Sequence, residues 1–222
     1  LANANVPGFR RDLPNDGAAG FLSTMNKATA RIFPLETGER IFSNEIGSLE
    51  STGVQTDLAM LNGSYLFIQP KNGEQALSRR GDLGVDAENK LVDGAGNAVL
   101  SAELEPIILP PFSAIKFSDN GEILVRQPGS LSGDFTSIGF LGSTSAQPEE
   151  LSKGLDGRIR KLDGTVPAPD QSGQYAQGVL EGSNVNAIEE MVFNMDMQRQ
   201  FEINVKLIKK AEELDKAGTS LM

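Results

Sequence analysis

The chain has 222 residues, 39% hydrophobic and 23% charged, which suits a folded protein with one or two cores. It has no cysteine and no histidine, which excludes a disulfide framework, thiolate chemistry, Cys- or His-based metal sites and the commonest general base at neutral pH. A net charge of -10 opposes polyanionic partners, so neither nucleic acid nor an anionic membrane surface is expected to bind.

In chain order, Leu1 to Asn5 followed by Pro7-Gly8 reads as the tail of a helix, so further residues are expected before Leu1. Residues 1–13 form this opening segment, and 14–61 are polar enough to predict an extended connecting region. From Asn62 to Gly142 the pattern turns to β. Tyr65-Leu66-Phe67-Ile68, Ile115-Lys116-Phe117 and Ile123-Leu124-Val125 are β-branched and aromatic runs. Asn72-Gly73, Asp93-Gly94 and Asn120-Gly121 supply the turn chemistry between runs. The last of these predicts a hairpin that keeps Ile115, Phe117, Ile123 and Val125 on one buried face. Leu109-Pro110-Pro111 cannot sit in a central strand, because proline offers no ladder donor, and is expected at an edge or crossing.

Residues 143–182, rich in Gly, Pro, Ser and Gln, read as a return connection, with Leu155 to Ile159 as a possible hairpin arm. A long helix occupies 183–222. Asn186 and Glu189 have capping-box spacing, and Gly218 is the expected stop. Ile188, Met191, Met195, Phe201, Val205 and Ile208 recur at three- and four-residue steps and are expected to form one apolar face about eight turns long. Such a stripe needs a partner helix, and no second helix of this kind is visible in the sequence. The fold class is therefore mainly β, an elongated Gly-rich β domain between terminal segments with one long C-terminal α-helix.

Patterns that could carry chemistry fail on context. Ser113-Ala114-Ile115-Lys116 and Ser118-Asp119-Asn120 match two of the three serine β-lactamase signatures, but they overlap a predicted hairpin rather than a helix start. Asp82, Asp86, Glu88 and Asp93 miss EF-hand spacing and read as a solvated turn face. Gly94-Ala95-Gly96 lacks the third glycine and flanking elements of a dinucleotide loop. A two-carboxylate glycosidase needs no histidine, but with no Trp and only Tyr65 and Tyr175 little remains to stack on a sugar. No catalytic residue, cofactor or metal is expected. A secreted β-domain binding module is the competing class.

Four groups of residues resemble the axial proteins of the bacterial flagellum that build its rod and hook. Leu1-Ala2-Asn3 with Pro7-Gly8-Phe9-Arg10 is similar to the end of the family's amino-terminal signature, with Val6 in place of the common Thr. Gly47, Leu49, Thr52-Gly53, Asp57-Leu58-Ala59 and Gly63 with Tyr65-Leu66 resemble the segment leading into its β domain, Ser64 replacing a glycine. Ser78 to Leu83, with Arg80 where Asn is usual, and Leu91 to Leu100 resemble the next two blocks. Leu180-Glu181-Gly182-Ser183-Asn184-Val185-Asn186-Ala187-Ile188-Glu189-Glu190-Met191, followed by Gln198-Arg199-Gln200-Phe201-Glu202, is the most specific. The resemblance implies a structural subunit of the periplasmic rod, closest to the proximal-rod members, with distal-rod members as the alternative. It also implies export by the flagellar type III apparatus without a cleaved signal, and helical polymerisation. The C-terminal helix would pair with an N-terminal one, and the partners would be other rod subunits and copies of itself. Asn3, Gly8, Phe9, Gly53, Asp57, Gly63, Gly182, Ser183, Asn184, Val185 and Asn186 would be its motif residues.

Overall fold

The computed structural model describes residues 2–13, 41–71, 73–129, 134–154 and 156–219. They fall into two compact units, one of residues 5–184 and one that groups residues 2–4 with the helical segment from 185. Most of the expected extended region 14–61, and both Asn72 and Leu155, lie partly or wholly outside the described residues.

The larger unit is built from short antiparallel strands. Its main sheet runs β12 (Leu151–Lys153), β13 (Ile159–Lys161), β4 (Ala76–Ser78), β3 (Tyr65–Gln69), β7 (Ala98–Val99), β6 (Leu91–Asp93) and β5 (Leu83–Val85), with β11 (Ser143–Thr144) also paired to β3. The apolar run in β3 follows from its central place. Tyr65 and Phe67 enter one core with Phe42, Leu77, Leu100, Leu151 and Ile159, while Leu66 enters the other with Leu58, Met60, Leu91, Val99 and Leu141. A strand covered on both faces cannot alternate apolar with polar.

The predicted hairpin is β8 (Ala114–Phe117) with β9 (Glu122–Arg126), joined by β10 (Thr136–Phe140) into a three-stranded sheet. Ile115, Phe117, Ile123 and Val125 are all buried in the second core, in the expected register. Their burial is worth roughly 1.5–3 kcal/mol per side chain. Gln177 covers the outer edge of β8, its Nε2 donating to the Ile115 carbonyl and its Oε1 accepting from the Phe117 N–H. Leu109 is buried and crosses beneath Asn89, whose carbonyl accepts its N–H.

The segment expected as a return connection with a hairpin arm carries several strands in the structure. Residues 143–182 hold β11, β12, β13, β14 (Tyr175–Gln177) and β15 (Val179–Glu181), and Asp156 to Arg158 lie between the paired strands β12 and β13. β14 pairs with β2 (Leu58–Met60), and β15 pairs with β1 (Leu49–Ser51). Strands of two or three residues carry almost no period-2 signal. The partners of β14 and β15 lie more than a hundred residues away, so only tertiary pairing reveals them.

Asp170 staples part of this segment. Its carboxylate accepts hydrogen bonds from the N–H and Oγ of both Ser145 and Ser172, at 2.7–2.9 Å. Burial pushes this carboxyl up, but the bonds from Ser145 and then Ser172 outweigh it and bring the group down to about 2. A carboxyl lowered by folding contributes stability above its ordinary value near 3.8, and that contribution is lost as pH falls toward about 2. Asp170→Asn should therefore lower the urea midpoint at pH 5 and leave it unchanged near pH 2. Equal losses at both pH values would contradict the staple.

Carboxylates that could have suggested a calcium loop have other roles here. Asp93 accepts from Ala95, Asn97 and the Asn97 amide, Asp86 from the Glu88 and Lys90 N–H groups, and Asp82 and Glu88 face Arg80 and Lys90. Ser113 donates to the Arg126 carbonyl at the mouth of the hairpin, as strand geometry requires.

The smaller unit is dominated by α1 (Ala187–Thr219), about 50 Å long. Asn186 caps it. Its Oδ1 accepts the Ile188 N–H at 3.0 Å and the Glu189 N–H at 3.5 Å, and its Nδ2 donates to Glu189 Oε1. Gly218, expected as the stop, lies inside the last described turn.

Candidate assembly site

Two features of the chain bear on assembly. The first is the place where the larger unit takes the chain in and lets it go. Gly8, Phe9 and Arg10 meet Glu181, Gly182 and Asn184 there, with Gly47 and Arg79 packed alongside. Glu181 is the centre. Although its side chain is fully buried, its Oε1 accepts from Arg10 Nη2 at 2.8 Å and the Gly47 N–H at 3.1 Å, and its Oε2 accepts from Arg79 Nε at 2.8 Å and Nη2 at 2.5 Å. Arg79 also donates to the Ser64 and Met60 carbonyls, and Arg10 to that of Glu45. Burial pushes the Arg10 guanidinium below its usual range, with Glu181 opposing and Arg79 adding to the depression.

The backbone follows the same path. The Gly8 N–H donates to the Glu181 carbonyl at 2.7 Å, and the Asn184 N–H to that of Phe9 at 3.2 Å. Gly8 has φ +65°, and a Cβ there would stand 2.1 Å from the Arg79 carbonyl oxygen, so only glycine fits. Gly47 is the glycine that close contact demands, since a Cβ on it would stand 2.0 Å from the Gly182 carbonyl oxygen, whereas a Cβ on Gly182 would meet the Ser48 Oγ at 2.9 Å. Lys153, also buried, donates to the Arg10 carbonyl, pairs with Asp12 at 2.9 Å and sits 3.9 Å from the Phe9 ring centre. Thr52, Gly53 and Asp57 form a neighbouring corner. The N–H groups of Thr52 and Gly53 reach the Gly178 carbonyl, and Thr52 Oγ1 donates to Asp57 at 2.5 Å. Gly63 turns the chain between β2 and β3, and Asn3 is exposed in the smaller unit.

The second feature is the surface of α1. Ile188 is 73% exposed and Phe201 68%, with Met191 and Met195 also exposed and Val205 half-buried. The side chain of Ile208 lies outside the described residues. These positions are not one face. At about 100° per residue, Ile188, Met191 and Met195 share one arc, and Phe201 and Val205 share another roughly a quarter-turn away. Phe193 and Met197, both exposed, lead into the second arc at four-residue steps, and Val192, Ile203 and Leu207 widen the apolar surface further.

Similarity over the whole chain, and not at this helix alone, decides the family. Residues 176–221 match the family described as flagellar basal body rod FlgEFG protein C-terminal. Over its whole length the chain is 30% identical to the flagellar basal-body rod protein FlgF of Salmonella typhimurium, covering 89% of that protein. The chain belongs to the flagellar basal-body rod protein family. The FlgF of Escherichia coli is 30% identical over 98% of this chain and 86% of its own, and the FlgG of Borreliella burgdorferi 30% identical over 96% and 87%. This rod protein is thus a structural subunit of the flagellar basal body, and its likeness to FlgF is slightly the stronger. No helix among the described residues is long and apolar enough to cross a membrane.

The motif residues Gly8, Phe9, Gly182 and Asn184, read in the sequence as marks of family, meet in space around Glu181. Glu181, Arg79, Gly47 and Lys153 were given no role there. The available signal was charge in the wrong place: Glu181 closes the β15 run after Val179 and Leu180, and Arg79 directly follows β4, in which Ala76 and Leu77 are buried.

Proposed function

We propose that this rod protein is the proximal-rod subunit, polymerising helically with copies of itself and with other rod proteins in the periplasm. The observation that carries this reading is the apolar surface of α1, the segment that the family match covers. A helix apolar on more than one side is stable only when buried on more than one side, which a packed tube of helices provides. The capped start at Asn186 launches that helix, and Ser183 and Val185 belong to its lead-in. No catalytic step and no cofactor is assigned. The division proposed is an opening segment 1–13, a connecting region 14–61, a β domain beginning at 62 and an assembly helix 183–222, with the strands of 143–182 completing the β domain.

Complementation tests the reading. A motile strain deleted for FlgF should swim again with the full-length gene, and should remain non-motile with a gene that ends at Asn184. Swimming restored by the shortened gene would overturn the role of the helix. The FlgG relatives support a second, distal-rod reading. Rescue of a FlgG deletion, with none of a FlgF deletion, would establish it.

A further inference from the structure

We infer that Asn184 is a positioning residue, a ruler that fixes at which residue the assembly helix departs from the chain's opening segment. One side chain and its own backbone gather four places in the sequence. Asn184 Oδ1 accepts the Arg11 N–H at 2.6 Å, its Nδ2 donates to the Ser43 carbonyl at 3.1 Å and the Glu45 carbonyl at 3.0 Å, and its N–H donates to the Phe9 carbonyl. The amide accepts one bond and donates two at once, which neither aspartate, with no donor, nor serine, with a single one, can reproduce. The Arg11 N–H lies 173 residues away in sequence, so this contact alone closes nearly the whole chain into a loop. Two residues beyond Asn184 stands the cap of α1, and five residues before Phe9 stands Ala4, the last residue of the opening segment in the smaller unit. Segments 2–4 and 185 onward thus start side by side at a defined offset. Past that point an error of one residue turns every side chain of α1 by about 100° relative to the opening segment.

The ruler and a merely structural contact differ in what they predict. Inserting one glycine between Asn184 and Val185 leaves every hydrogen bond of Asn184 in place and shifts only the offset. Asn184→Ala removes the bonds and keeps the offset free to wander. Because the chain has no cysteine, Ala2→Cys and Asn194→Cys accept spin labels cleanly, and both positions lie in the smaller unit. In the labelled full-length chain a single narrow distance is expected. The glycine insertion should displace it, with melting unchanged, and Asn184→Ala should broaden it while lowering the melting temperature by only a few degrees. Both variants should abolish rescue of motility in the deleted strain. This cellular arm rests on the rod-subunit reading, whereas the distance arm does not, so failure of rescue by the unaltered gene faults the reading and not the ruler. Unchanged distance distributions in both variants, or normal swimming with the glycine insertion, would overturn the inference. If Asn184→Ala fails to fold, the insertion alone decides.

Discussion

Glu181→Gln should lower the melting temperature of this rod protein by roughly 10 °C or more. Its carboxylate is the acidic partner of two buried guanidinium groups, Arg10 and Arg79, and its side chain is inaccessible to water. The amide keeps the shape and one acceptor oxygen but removes the charge that both arginines were buried against. Removing one partner of a buried ionic cluster costs about 3–5 kcal/mol, because the remaining charges stay desolvated. For a chain of this size each kcal/mol shifts melting by about 2–4 °C. A surface ion pair gives the internal comparison: Lys90 with Glu88 is exposed, and Glu88→Gln should change melting by about 1 °C or less. Similar small shifts for both variants would show that Glu181 is not the centre of the junction.

Phe201→Asp should leave the isolated chain as stable as before and yield non-motile cells. The ring is mostly exposed in the monomer, so an aspartate there meets water and melting should move by about 1 °C or less. In a packed rod the same position would bury a carboxylate where an aromatic side chain contributed roughly 1.5–3 kcal/mol, and burying an unpaired charge costs several kcal/mol more. The loss is repeated at every subunit of a polymer. Phe201 serves this test better than Val205, which is already half-buried in the chain itself, so that Val205→Asp would mix folding with assembly. Glu88→Gln, on the exposed surface of the larger unit and away from α1, is the control and should swim. Normal swimming by Phe201→Asp cells would remove the second apolar arc from the interface and leave that around Ile188 and Met195 to be tested in the same way.

Local chemistry was enough for several elements. The β8–β9 hairpin follows from Asp119-Asn120-Gly121 between two alternating runs, because a tight turn and a period of two determine register without help from the rest of the chain. The start of α1 follows from Asn186 and the acidic first turn, since a cap acts within three residues. Family and broad fold were legible for a related reason, as the most specific motif, Leu180 to Met191, is contiguous. What needed the tertiary structure is whatever depends on distant partners. Arg79 and Glu181 are 102 residues apart, and Arg11 and Asn184 173, so no window of sequence shows that a lone glutamate answers two arginines or that one asparagine closes the chain. Strands β11 to β15 are each two or three residues long and take their conformation from β1, β2, β3 and β4 rather than from their own composition. The single apolar stripe was a pattern of spacings, and a rigid helix winds those spacings onto two arcs, because steps of three and four residues stay on one line only while they alternate.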